Sequence, residues 1–384
     1  MSPEIACRTD VMALGSRRWR QRLLACLYGQ PPPSPSWALA LRLLHGLASL
    51  YGAAVALRAA AYRAGLRQPR RLPCRVLSIG NLTVGGTGKT PLALWVARWY
   101  QKAGCRVAVL CRGYGGTLKG RFGVASCGEG PQQPWHVVGD EAYFLAQALP
   151  GIPVLAGKDR YAAGRYACAA FGSEVVLLDD GFQHWRLARD LDVVLLDASN
   201  PLGAGALLPR GILREPLPAL ERADVVVVTR APAAAAAALP APLRPWLAQK
   251  PLCALTLQAE ALVGGAGETY PLAFLQGQRA VAFAGIGNPG AFLATLQSLG
   301  CEVPVLLCFP DHHPYRAADW QAIAEVARQR QATCLVTTEK DAVRLSPAWP
   351  APVPLYRLRV GVSFTAGAED FGQHLQRLLP EGKR

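Results

Sequence analysis

The sequence predicts an α/β protein: a mostly parallel, helix-covered sheet, a second smaller α/β unit after it, and a membrane-associated helix before it. Three observations carry that reading. Short continuous apolar runs recur at 76–79, 107–111, 174–180, 192–197 and 225–230, with helical patterns between them. Continuous apolar strands belong to a sheet covered on both faces, and alternation with helices makes neighbouring strands parallel. The first run leads into a small-residue loop, Thr83-Val-Gly-Gly-Thr-Gly-Lys-Thr90, and then into an apolar helical pattern opened by Pro91. Finally, residues 37–66 are rich in Ala and Leu and contain no Pro.

The 384 residues leave room for two or three domains and a substantial core. A composition of 51% hydrophobic and 17% charged residues implies a folded chain with an unusually apolar surface or a membrane contact. The net charge of +15 is concentrated at the start, where residues 1–75 hold twelve Arg against Glu4 and Asp10. Such a basic region suits an anionic membrane surface or nucleic acid. No nucleic-acid-binding module accompanies it, so the membrane is favoured. The eleven Cys include no Cys-x-x-Cys pair and sit mostly in apolar runs. They read as buried reduced thiols, neither a disulfide framework nor a zinc site.

Taken in order, residues 1–36 form a basic, poorly ordered extension with a Pro cluster at 31–35. Residues 37–70 carry the membrane-associated helix. Arg42, His45 and Arg58 interrupt it, so no uncharged run reaches the roughly 20 residues needed to span a bilayer. At about 100° per residue Arg42, His45, Ser49, Arg63 and Arg67 share one side, with Arg58 nearly opposite. That pattern predicts a helix lying in the interface, apolar face in lipid. Residues 71–230 form the nucleotide-binding core, 231–251 an Ala/Pro-rich linker, and 252–384 the smaller α/β unit.

Strand, Gly-rich loop, Lys-Thr and helix make a phosphate-binding loop of the P-loop NTPase type. Backbone N–H groups of Thr83, Val84, Gly85, Gly86, Thr87 and Gly88 cradle phosphate oxygens, Lys89 reaches the β/γ-phosphates of ATP, and Thr90 ligates Mg²⁺. Thr83 stands where the usual pattern has Gly. Asp179-Asp180 ends an apolar strand, the position of carboxylates that hold Mg²⁺. Asp140, opening a helix, reads equally well as an N-cap. Asp311-His312-His313 places a His beside an acid, which suits a general base. Glu339-Lys340-Asp341 lacks the order of a guanine-specificity motif, so GTP is not supported.

Seven motifs, in this order, resemble those of the tetraacyldisaccharide 4′-kinase family. They are Gly80-Asn-Leu-Thr-Val-Gly-Gly-Thr-Gly-Lys-Thr-Pro91, Arg112-Gly-Tyr-Gly115, Gly139-Asp-Glu141, Asp179-Asp-Gly-Phe-Gln-His184, Leu208-Pro-Arg-Gly-Ile-Leu-Arg-Glu-Pro216, Phe309-Pro-Asp-His312 and Thr338-Glu-Lys-Asp-Ala342. The resemblance covers about residues 37 to 345, and its pattern has Thr at position 83. It implies transfer of the ATP γ-phosphoryl group to the 4′-hydroxyl of a tetraacylated disaccharide 1-phosphate, a lipid A precursor, giving the 1,4′-bisphosphate lipid IVA. The implied place is the cytoplasmic face of the bacterial inner membrane. It implies that Asp140 and His312 form a dyad activating the acceptor hydroxyl across an interdomain cleft. It also implies that Asp179, Asp180 and Glu215 manage Mg²⁺, with Gln183 and His184 near the nucleotide. No protein partner can be inferred. The competing readings are a P-loop GTPase and a peripheral membrane protein that uses ATP only as a switch.

Overall fold

The apolar runs become strands because their branched and leucine side chains fill both faces of one sheet. A computed structural model describes residues 4–7 (backbone), 22–32, 34–231, 239–346, 348 and 350–383. Much of the basic extension and part of the Ala/Pro-rich stretch therefore lie outside the described residues. In chain order come β1 (Glu4–Cys7), α1 (Pro35–Arg63), β2 (Arg75–Asn81), α2 (Lys89–Lys102), β3 (Val107–Cys111), β4 (Gly123–Ser126), α3 (Asp140–Ala148), β5 (Val154–Ala156), α4 (Arg160–Phe171), β6 (Val175–Asp179), β7 (Leu191–Asp197) and β8 (Val225–Thr229). The later part holds β9 (Leu252–Val263), β10 (Thr269–Tyr270), β11 (Arg279–Ala284), α5 (Pro289–Ser298), β12 (Glu302–Cys308), α6 (Ala317–Gln329), β13 (Cys334–Thr338), α7 (Glu339–Ala342), β14 (Leu355–Ala366) and α8 (Ala368–Gln376).

One sheet takes all the strands, in the order β1-β12-β11-β13-β14-β9-β8-β7-β2-β6-β3-β5-β4, with β10 on β9. Most neighbours are parallel; β4 with β5, β14 with β9 and β10 with β9 are antiparallel. In β3, β6 and β8 every residue is buried, which is why these runs do not alternate. The carboxyl ends of β2, β6 and β12 deliver the polar clusters, as parallel sheets do for their ligands.

The expected division at residue 252 falls inside the sheet. β9 pairs in parallel with β8 on one side and antiparallel with β14 on the other, so the ladder is unbroken. The chain end does not stay with the smaller unit either. Phe371 and Leu375 of α8 are fully buried in the core of the nucleotide-binding half, and Tyr100 Oη donates to Leu375 O at 3.0 Å. The linker reading of 231–251 also yields beyond residue 238, because Leu239, Leu243 and Leu247 are core residues. Of the extension, 4–7 add a parallel edge strand to β12, and residues 22–27 are helical.

Helix α1 has three faces. Leu41 and Ala48 are buried against the body. On the same face Tyr51 Oη donates to Arg214 O (2.8 Å), and Tyr62 packs on Trp185 with ring centroids 5.3 Å apart. Arg58, out of place in the sequence pattern, points inward here and pairs with Glu215 at 3.1 Å. Arg42, His45, Ser49 and Arg63 are exposed on a second face. A third face carries Leu39, Leu43, Leu47, Leu50 and Leu57, each between 54% and 73% exposed.

Candidate active site

The phosphate loop is shaped by two glycines in conformations that L side chains rarely adopt, Gly85 (φ +113°) and Gly88 (φ +87°). Gly88 directly precedes α2, so the loop's N–H groups and the helix N-terminus converge on one point. Thr83 is buried and bridges Leu213, while the next amide, Val84 N, donates to Ile212 O at 2.8 Å. The backbone at 83–84 therefore anchors the loop to the segment 206–214. Asn81, at the end of β2, organises the rest. Its amide nitrogen donates to Thr87 Oγ1 (3.0 Å), and its oxygen accepts from Lys89 Nζ (3.2 Å).

The two acids at the end of β6 are held differently. Asp180 (φ +56°) takes Arg214 at 2.8 and 2.9 Å and lies 3.7 Å from Lys89. Burial pushes its pKa up, but Lys89 and Arg214 outweigh burial and hold it below the usual carboxylate value. Asp179 is buried and accepts from Thr90 Oγ1 at 3.2 Å, while its Oδ1 has no hydrogen-bond partner among the described residues. Burial, then the charges of Glu141 and Asp180, raise its pKa to about 7.

This pair fits Mg²⁺. An orphaned, buried carboxylate oxygen beside a threonine hydroxyl and a phosphate cradle is a donor set that a hard cation would complete, with phosphate and water as its other ligands.

The opposite wall comes from the other half of the sheet. The loop after β12 holds His312 at φ +59°, a left-handed conformation His tolerates better than most residues. Its Nδ1 lies 2.8 and 3.0 Å from the two carboxylate oxygens of Asp140. Asp140 is the first residue of α3, and the N-cap position belongs to Gly139. The N-cap reading of Asp140 therefore falls. Its carboxylate accepts from Glu141 N (2.9 Å) and faces the buried Arg344 at 3.4 Å. Burial raises its pKa, but the His312 hydrogen bond and the charges of His312, Lys340 and Arg344 bring it below the ordinary value. A second link crosses the cleft beside it, from Lys340 to Glu141 (3.3 Å) and to Asp311 (3.7 Å). Tyr114 packs over His312 with ring centroids 5.1 Å apart.

Both walls share a cavity of about 1690 Å³ lined by Lys89, Thr90, Asp179, Asp180, Gln183 and His312, and by the loop from Val84 onward. Tyr51, Val55 and Arg58 of α1 line it too. Four expected site residues stand off this wall, Asp140 among them, buried behind His312. Thr83 is the anchor described above. His184 is largely buried, and burial followed by Arg160 and Arg189 lowers its pKa to about 4. Glu215, expected to handle Mg²⁺, is 1% exposed and already engaged by Arg58 (3.1 Å), Arg222 (2.7 Å) and Trp185 Nε1 (3.1 Å). Its charge is already matched by Arg58 of α1 and by Arg222, which argues against the metal role expected for it. Sequence reasoning missed Asn81, Arg214, Lys340 and Arg344 as parts of the site. The first three lay inside the motifs given above; Arg344 lies two residues beyond the last of them and had no signal of its own.

With the geometry in place, residues 40–380 match the family model described as Tetraacyldisaccharide-1-P 4′-kinase. The chain belongs to the tetraacyldisaccharide 4′-kinase family. A tetraacyldisaccharide 4′-kinase of Geobacter metallireducens is 46% identical over 309 residues, 80% of this chain and 90% of that one. That of Anaeromyxobacter dehalogenans is 43% identical over 351 residues, 90% of this chain and 93% of the relative. Among solved structures, the "apo" form of LpxK from Aquifex aeolicus in complex with ATP superposes with a TM-score of 0.72 at 30% identity. That match covers 89% of this chain and all of the other.

Proposed function

We propose that this protein transfers the γ-phosphoryl group of ATP to the 4′-hydroxyl of a tetraacyldisaccharide 1-phosphate, giving the 1,4′-bisphosphate of lipid A biosynthesis. Family membership supports the reaction class, and one observation carries the mechanism: His312 lines the cavity that the phosphate loop opens into, and Asp140, 172 residues away in the chain, backs its ring at 2.8 Å. A loop alone would serve a switch; a buried acid–histidine pair facing it serves transfer to a hydroxyl.

Phosphoryl transfer asks mainly for positioning and charge neutralisation. The amides of Val84 to Gly88 hold the phosphates and Lys89, kept extended by Asn81, neutralises them. Thr90 and Asp179 would hold Mg²⁺, which when bound offsets phosphate charge. Asp180, paired with Lys89 and Arg214, fixes those two cations at the reaction side. With Nδ1–H donated to Asp140, the Nε2 of His312 is left to take the proton of the acceptor hydroxyl. Asp140, held ionised by its cations, orients the ring and stabilises it once protonated.

The acceptor is a lipid, and α1 supplies its meeting place. The helix is long and apolar enough to cross a membrane by length and composition. Its inward face is tied to the body by Leu41, Ala48 and the Arg58–Glu215 pair, so we read it as lying in the surface. The leucine face then enters the cytoplasmic leaflet and the Arg42–Arg63 face meets headgroups.

Purified protein, γ-labelled ATP and tetraacyldisaccharide 1-phosphate in mixed micelles test the proposal. Label must enter the glycolipid. Label recovered only as free phosphate would favour the ATP-switch alternative and overturn the kinase reading.

A further inference from the structure

Resting on the kinase reading above, we propose that the segment 22–30 supplies a nucleotide-positioning residue, Tyr28, to the phosphate loop. The segment lies before the stretch 40–380 that the family model matches. It is nevertheless seated specifically. Leu27 O accepts from Ala204 N at 3.1 Å, Tyr28 O accepts from Asn200 Nδ2 at 3.0 Å, and Cys26 is 3% exposed. Two glycines permit the close approach. A Cβ on Gly29 (φ +103°) would meet Gly203 O at 3.3 Å, and one on Gly203 (φ +57°) would meet Ile212 and Leu27 O.

That seat puts the Tyr28 hydroxyl over the phosphate loop. It lies 3.1 Å from the place a Cβ on Gly85 would occupy, and among the described residues no other atom outside Val84–Gly86 comes within 4 Å of that place. Among the described residues no protein group hydrogen-bonds it. Burial first, and Asp311 second, raise its pKa, which keeps the hydroxyl protonated and able only to donate to an anion. The anion that the neighbouring amides and Lys89 recognise is a nucleoside triphosphate. A phenol donating to its phosphate oxygen makes a charge-assisted bond.

The test uses the full chain and equilibrium binding of ATP without acceptor, followed by steady-state kinetics. Tyr28→Phe should raise the Kd and the KM for ATP by about tenfold, the usual worth of a hydrogen bond to a charged group. The kcat should stay within about twofold, the acceptor KM unchanged and the melting temperature as in wild type. Asn200→Ala, which loosens the seat from outside the site, should shift ATP affinity the same way by a smaller factor. A Tyr28→Phe Kd within twofold of wild type overturns the proposal, whether or not the variant melts lower. A rise confined to the acceptor KM also overturns it, since the hydroxyl would then serve the acceptor's 1-phosphate. Wild type that binds ATP but phosphorylates no lipid would sink the kinase reading and leave this inference standing.

Discussion

Asp140 and His312 divide one task between two elements, and their substitutions should separate chemistry from binding. Asp140→Asn and His312→Ala are each expected to lower kcat by about 10² to 10⁴, the range for a lost general base or its orienting acid. The Kd for ATP should move less than threefold, because neither side chain belongs to the phosphate loop. Comparable kcat in either variant would end the dyad assignment. His184 makes a different residue-scale prediction, about stability. Its pKa of about 4 lies below the unfolded value near 6.5. A depressed histidine is neutral in the fold, so its contribution is whole above about pH 6.5 and is lost as pH falls toward 4. The loss should reach about 2–3 kcal/mol, allowing for partial solvent screening. His184→Gln should flatten this acid limb in urea unfolding between pH 4 and 7; an unchanged slope would show that the ring is not the group responsible. The sequence showed which residues matter here better than what they touch. Asp140, Asp179 and His312 sit at strand or helix ends, where position announces chemistry. Glu215 was named by its motif alone; Arg58 reaches it from distant α1 and Arg222 from the turn just after it, and only the folded arrangement reveals that its charge is already matched.

At the scale of elements, α1 shows how a helix can satisfy three environments at once. The side chains of Leu41, Ala48, Tyr51, Val55, Arg58 and Tyr62 are spaced by seven residues and then by three or four, which lays one stripe on the protein. That leaves the leucines of the third face with no protein partner side, and an exposed apolar face of this size marks an interaction surface. The helix and its basic side were readable from composition. The stripe was not, because an inward-facing arginine breaks the period that such a reading relies on. Leu43→Glu combined with Leu50→Glu should cut cosedimentation with anionic vesicles at least tenfold, since each buried leucine is worth about 1.5–3 kcal/mol. Both positions point away from the body, so the melting temperature should hold. Undiminished pelleting would move the membrane contact elsewhere. The phosphate loop was the most legible element of all, since strand, glycines, Lys89 and Thr90 are consecutive. Its dependence on Thr83 and Asn81 was hidden, because those bonds reach the segment 206–214 and the far side of the loop.

At the scale of the whole molecule, the cleft lies between two halves that do not separate cleanly. The sequence indicated two α/β units with composition breaks between them, and composition cannot show that β9 pairs on both of its edges. Nor can it show that the chain end returns. Helix α8 buries Phe371 against Trp95 and Phe364, with ring centroids 6.0 and 5.3 Å apart, in the core beneath α2. Phe364 belongs to β14, whose other pairings reach into the smaller unit. A cavity at Phe371 therefore loosens the nucleotide-binding core and the strand joining it to the His312 side together. Phe371→Ala should cost about 3–5 kcal/mol, the usual range for an emptied aromatic site. If the shared sheet makes the halves cooperative, ATP-site fluorescence and the Trp320 environment in the smaller unit should shift to lower denaturant by the same amount. Unfolding of the nucleotide-binding half alone, with the smaller unit unmoved, would show that β9 and β14 act as a hinge between independent bodies.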